Sequence, residues 1–281
     1  GYSHSEVLGQ KPSILSSDKQ SAAFFIKMWR SLIEQGYWHG EVWNRKKSGE
    51  LFAARLSISS LTNDNDETLH YVGLFSDITE TKQQQQKLEL MAHYDMLTEL
   101  PNRSLLADRF RLGIAHSKRT DTMLGVCFLD LDNFKPVNDS YGHDVGDQLL
   151  IAVAQRLKTN IRDEDTASRQ GGDEFVLLLA DIESLAHCHE ILQRINDVLA
   201  LPYIIAGHTF NISVSIGVTL YPGDDADLDT LLRHADYSMY QAKLAGKNRF
   251  HLFNPEKDQQ KIQKHQQLDE IQQALLHNEF T

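Results

Sequence analysis

Ser168 to Leu179 read SRQGGDEFVLLL, a run of residue types suited to a reactive turn. Two glycines separate a short polar run from an apolar one. That is the pattern of a tight hairpin, because glycine reaches backbone angles closed to other residues. Asp173 and Glu174 follow directly, and upstream Asp130 and Asp132 end the apolar run LGVCFLDLD. A strand end leaves backbone carbonyls free, so Asp130 with the Leu131 carbonyl reads as half of a hard-cation site. Taken alone, D-x-D is more often a pair of solvated loop acids. The second acidic turn moves the balance toward a divalent metal acting on a phosphorylated substrate.

Other candidates flank these turns. In NFKPVNDSYGHDVGDQLL, Lys135 could neutralise phosphate, and Asn138 and Asp147 lie either side of a Gly-containing turn. A carboxylate with an amide suits guanine, which offers N–H donors to the one and an acceptor to the other. Helix capping competes with that reading and is favoured by spacing alone. Lys243 and Lys247, in AKLAGKN, fit a helix C-terminus stabilised by its dipole, or a triphosphate contact. Arg162 and Asp165 form R-x-x-D, which by itself is a common surface charge pattern. No G-x-x-x-x-G-K-[ST] occurs, so this is not a P-loop protein.

The elements that must carry these residues follow from periodicity. The 281 residues suffice for two domains, with 41% apolar and 24% charged residues. A net charge of −11 argues against a nucleic-acid partner, which needs a basic face. Two cysteines, Cys127 and Cys188, have no metal-ligand spacing and fit a reducing cytoplasm. No stretch approaches the roughly 20 apolar residues of a membrane helix. The abrupt start, GYSHSEVLG, reads as a cut from a longer protein, and any membrane anchor would lie outside this stretch.

Residues 1–80 hold all three tryptophans. Phe25, Met28, Trp29 and Leu32 have helical spacing ending at Gly36; a hairpin turns at Ser48-Gly49; HYVGLFSDIT is a further strand. Trp43 and Tyr71 read as core. Residues 81–94 predict a connecting helix with a thin stripe at Leu88, Met91 and Tyr94, suited to pairing with a copy of itself. From 95 to 254 strands and helices alternate. Helices are expected near 103–116, 145–160, 185–200 and 227–245, and strands at 124–130 and 166–180. HTFNISVSIGVTL reads as one strand, with Phe210, Ile212, Val214, Ile216, Val218 and Leu220 on one face and polar residues on the other. The fold class is α+β: a mixed sheet of the split βαβ kind with flanking helices. Residues 255–281 read as a linker and one polar helix.

RQGGDEF resembles the signature of the GGDEF family of diguanylate cyclases. DMLTELPNR, DLDNFKPVNDSYGHDVGD, SVSIGVTLYP and ADYSMYQAKLAGKNRF resemble its other motifs, in order and at family spacing. The resemblance implies a nucleotidyl-cyclase-like palm fold and magnesium-dependent (or manganese-dependent) condensation of two GTP into cyclic di-GMP. It implies metal ligands at Asp130, the Leu131 carbonyl and Asp173, with Asp173 also as general base and Glu174 as its acidic neighbour. Asn138, His143 and Asp147 match the guanine pocket; Lys135, Lys243 and Lys247 match phosphate contacts; Arg162 and Asp165 match an inhibitory product site. One site holds one GTP, so catalysis implies a homodimer. Glu99 stands where glycine is commoner, and Lys247 where arginine is frequent. WHGEVWNRKKSGE and YVGLFSDITETK resemble a PAS domain lacking its early strands, and the tail resembles the start of an EAL domain.

Overall fold

The computed structural model describes residues 1–65 and 67–258. The chain divides into two compact units, Gly1–Glu89 and Leu90–Thr281. The tail expected to begin an EAL domain lies, beyond Asp258, outside the described residues. No described helix is long and apolar enough to cross a membrane.

The first unit contains α1 (His4–Val7), a 3-10 turn (Pro12–Leu15), α2 (Ala22–Gln35), β1 (Tyr37–Arg45), β2 (Leu51–Thr62) and β3 (Thr68–Asp77). Ser21 caps α2 by accepting from the Phe24 N–H, and Gly36 ends it at φ 78°. The strands form an antiparallel sheet in the order β1-β2-β3. Its core is small: Val42, Phe52 and Ala54, with Phe24, Trp38 and Leu56 against them. Tyr71 is not core. It is 45% exposed and meets the equally exposed Trp29 edge to face, with ring centroids 5.5 Å apart. Trp43 is half-buried. The connecting helix is α3 (Thr79–His93), and Leu88 and Met91 are exposed on it.

The second unit continues with α4 (Arg103–Thr120), β4 (Met123–Asp132), α5 (Phe134–Tyr141), α6 (His143–Asn160), β5 (Thr166–Gly171), β6 (Glu174–Ile182), α7 (Leu185–Leu199), β7 (Tyr203–Ile205), β8 (His208–Phe210), β9 (Ser213–Tyr221), α8 (Leu228–Leu244) and β10 (Arg249–Leu252). The five-stranded sheet has the order β10-β9-β4-β6-β5; β10 runs parallel to β9 and the other neighbours are antiparallel. Period-two alternation sorts its residues. Leu129, Leu131, Phe175, Leu177, Val214, Ile216 and Val218 join one cluster with α6 and α7. Val126, Val176 and Leu178 join another with Leu106 and Phe110 of α4 and Leu231 and Leu232 of α8.

HTFNISVSIGVTL is not one strand. β8 ends at Phe210 and pairs with β7 in a separate hairpin, and β9 starts at Ser213. Nor is the second face of β9 solvated. Ser215 and Thr219 are fully buried, because α8 lies over them. Gly217 makes that approach possible: a Cβ there would fall 1.8 Å from the Ala235 carbonyl oxygen and 2.1 Å from the Met239 nitrogen.

Candidate active site

The glycine turn is the tight hairpin its sequence implies. Gly171 is the last residue of β5 and pairs with Glu174, leaving Gly172 and Asp173 as the tip. Gly171 has φ 150° and Gly172 φ 50°, and a Cβ on either would meet nothing within 4 Å. The backbone angle, not crowding, demands glycine. Arg169 locks the tip from behind: its Nε and one terminal nitrogen donate to the Gly172 carbonyl at 3.0 and 2.7 Å. Its other terminal nitrogen donates to both oxygens of Asp95 at 3.0 Å. Asp95 also accepts from the Thr98 N–H and hydroxyl. Burial alone would raise the Asp95 pKa, but the donors from Thr98 and Arg169 outweigh it and hold the carboxyl below its ordinary value.

β4 brings the second acid to this turn. Asp130 lies opposite Glu174 in the β4–β6 ladder, which ends there. β4 runs on to Asp132 paired only with β9, so past Asp130 its β6 side has no ladder partner and the Leu131 carbonyl lies at an open strand end. Lys243, in the last turn of α8, reaches Asp130 Oδ1 at 2.7 Å. Burial raises the Asp130 pKa; Lys243 opposes this, and Asp173 and Asp132 add to it. Burial also raises Glu174, reinforced by Asp236, Asp130 and Asp173. Acids that disfavour one another's ionisation are the kind of cluster a cation would relieve. Among the described residues no three such groups close into a ready-made metal cage. The hard oxygen donors of Asp130, Asp173 and Leu131, with their surplus negative charge, are nonetheless the donor chemistry magnesium or manganese takes.

Asn138 and Asp147 are not caps, as spacing alone favoured. Asn138 is inside α5 and Asp147 is the fifth residue of α6, and neither makes a capping bond among the described residues. A Cβ on Gly146 would lie 1.8 Å from Asn138 Oδ1, so this glycine lets the amide lie against α6. Asp147 and His143 are exposed on the same helix. Lys135 is exposed in the first turn of α5. Lys247 lies beyond α8 and donates to Asn133 Oδ1 at 2.8 Å.

Arg162 and Asp165 form no ion pair with each other. The Asp165 carboxylate instead accepts the Arg162 N–H at 3.0 Å and the Ala180 N–H at 2.9 Å. Arg162 lines a cavity of about 500 Å³, as do Tyr94, Glu99, Arg109 and His116. Glu99 shares this cavity with the R-x-x-D pair, and its φ of 56° explains why glycine suits that position. Three contributors escaped the sequence reading: Asp95 and Arg169 as a lock on the turn, and Asp236. The spacing of Asp236 to Lys243, two helical turns on one face of α8, was the available signal for the last.

Residues 92–249 match the family described as diguanylate cyclase, GGDEF domain, and residues 1–80 match a PAS domain. Over 190 residues the chain is 44% identical to the bifunctional diguanylate cyclase/cyclic di-GMP phosphodiesterase MucR of Pseudomonas aeruginosa, covering 66% of this chain and 27% of that protein. Over 262 residues it is 35% identical to the cyclic di-GMP phosphodiesterase PdeR of Escherichia coli, covering 92% of this chain and 39% of PdeR. The solved GGDEF domain of PA1120 (TpbB or YfiN) from Pseudomonas aeruginosa superposes with a TM-score of 0.54 at 36% identity, over 58% of this chain and 95% of that one. The chain thus spans well under half the length of these two curated relatives.

Proposed function

The chain belongs to the GGDEF family of diguanylate cyclases, and from that premise we propose that its second unit condenses two GTP into cyclic di-GMP and two pyrophosphates. The observation that carries this reading is the acidic cluster of Asp130, Asp173 and Glu174 at a glycine turn, faced by Lys243. Asp130, Asp173 and the Leu131 carbonyl would hold the divalent ion, which when bound polarises the α-phosphate and acidifies the attacking hydroxyl. Asn138 and Asp147 select guanine, with His143 beside them. Lys135, Lys243 and Lys247 carry phosphate charge. The 3′-oxygen of one GTP bonds to the α-phosphorus of the other, the α–β bridging bond breaks, and pyrophosphate leaves. Glu174, whose carboxyl holds a proton more tightly than usual, is suited to take the hydroxyl proton alongside Asp173. Two such bonds need two sites facing each other, so the working form is a homodimer.

Arg162, which lines that cavity and carries five donors, suits a product guanine or phosphate, and product bound there would slow turnover. The likeness to PdeR along nearly the whole chain favours a second reading, a GTP-binding module that regulates a phosphodiesterase without turnover. Incubation of the chain with GTP and magnesium, followed by separation of nucleotides, decides between them. Cyclic di-GMP accompanied by two pyrophosphates for each molecule formed supports synthesis; GTP bound and recovered intact rejects it.

A further inference from the structure

Asp132 stands two residues from Asp130, yet its own partners lie elsewhere. The side chain is buried, 2% exposed, and meets three donors: the Ser213 hydroxyl at 2.6 Å, the Ser215 hydroxyl at 2.8 Å and the Asn248 N–H at 3.1 Å. The serines belong to β9, which β4 already holds through its backbone. The third bond reaches the turn between α8 and β10.

That turn is unusual. Gly246, Lys247 and Asn248 have φ of 116°, 63° and 47°, so two residues with side chains sit consecutively in the left-handed region. Such a conformation persists only where its surroundings over-determine it. Here Asn196 of α7 donates to the Asn248 carbonyl and side-chain oxygens at 3.3 and 3.2 Å, and Ala242 accepts the Lys247 N–H at 3.1 Å. Gly246 N–H donates to the Lys243 carbonyl at 3.2 Å and Arg249 Nε to the Lys247 carbonyl at 3.1 Å, and Asp132 adds the hold that comes from β4. The result places the Lys247 ammonium against Asn133, the residue after Asp132, at the end of β4 that carries Asp130.

We propose that Asp132 is a positioning residue: its buried carboxylate fixes the left-handed turn at 246–248 and so sets where Lys247 meets substrate phosphate. The proposal rests on the reading of Lys247 as a phosphate contact. A staple between β4 and β9 is the rival role, and it would give no selectivity for phosphate.

The test is equilibrium binding of 3′-deoxy-GTP, which cannot condense, against 3′-deoxy-GMP, which lacks the terminal phosphates. Lys247→Ala should weaken the triphosphate about tenfold and leave the monophosphate nearly unchanged. Asp132→Ala should show the same selective loss, about fivefold, and the double variant should be no worse than Lys247→Ala alone. Asp132→Asn keeps one oxygen able to accept the Asn248 N–H and should recover most of the ratio. Should Asp132→Ala not fold, Asn196→Ala loosens the same turn from α7 and is read in the same way. Equal loss of both nucleotides, or losses that add in the double variant, overturn the positioning role while leaving Lys247 as a phosphate contact. A Lys247→Ala protein that binds both nucleotides normally overturns the phosphate reading and the proposal together.

Discussion

The carboxylates at the glycine turn and those that hold the scaffold behind it are the same functional group under opposite treatment. Asp95 and Asp132 each receive three or more donors, from Thr98 and Arg169 in one case and from Ser213, Ser215 and Asn248 in the other. Asp130 receives one lysine, and Glu174 is surrounded by other acids. Donors stabilise the ionised form, whereas burial among like charges destabilises it. A carboxylate whose valences are filled serves the fold. One left with unspent negative charge is available to a ligand.

The contrast is most sharply tested at the tip. Asp173→Ala should reduce cyclic di-GMP synthesis by at least about 100-fold with no loss of folded signal on heating, since the residue lies in a two-residue turn outside the core. Substantial turnover by a preparation free of wild type would break the division. Arg169→Ala acts from the scaffold side. It frees the Gly172 carbonyl and strips Asp95 of its ion pair, whose partners are 10% and 21% exposed, so activity should fall about 10-fold to 100-fold together with thermal stability. Activity loss without any stability loss would place Arg169 with the turn acids instead. Asp147 belongs to neither class, being exposed with no cap to serve. If it reads guanine, Asp147→Ala should weaken GTP about tenfold and leave ATP unaffected, by competition binding; equal effects on both nucleotides return it to the scaffold.

The smallest effect is that of pH. Asp95 has a folded-state pKa below its ordinary 3.8, so its stabilising contribution is complete above that value and is lost as pH falls through the lower, folded one. Asp130 and Glu174 are raised above 3.8 and 4.5, so they take up protons earlier, and protonation favours the folded state. Turnover should therefore decline on mild acidification while the melting temperature holds. A parallel decline of both would mean that the two groups of acids titrate alike.

What the sequence disclosed follows the same line. Local signals were readable: the Gly171–Gly172 turn and the stop at Gly36. What resisted was whatever depends on a partner far along the chain. Nothing local says that Arg169 and Asp95 meet, or that Asp236 lies beside Glu174. Ser215 and Thr219 make the second face of β9 polar, and only the passage of α8 over Gly217 makes it interior. Asn138 and Asp147 favoured capping for the same reason. Their spacing is compatible with helix starts, and the actual boundaries of α5 and α6 are set by Gly142 at φ 84°.

Gly217 carries a consequence for how this site can vary. Strand and helix touch there main chain to main chain, so the gap between β9 and α8 is fixed by atoms that every sequence shares. Side-chain repacking elsewhere cannot retune it. A single methyl at 217 would act as a shim, lifting α8 by roughly an ångström and carrying Lys243 and Asp236 with it. Gly217→Ala is thus expected to leave a folded protein with nucleobase binding intact and the Lys243–Asp130 contact opened, read as a lower kcat at unchanged circular dichroism. The tolerance of the chemistry is set one layer away, at a residue with no side chain of its own.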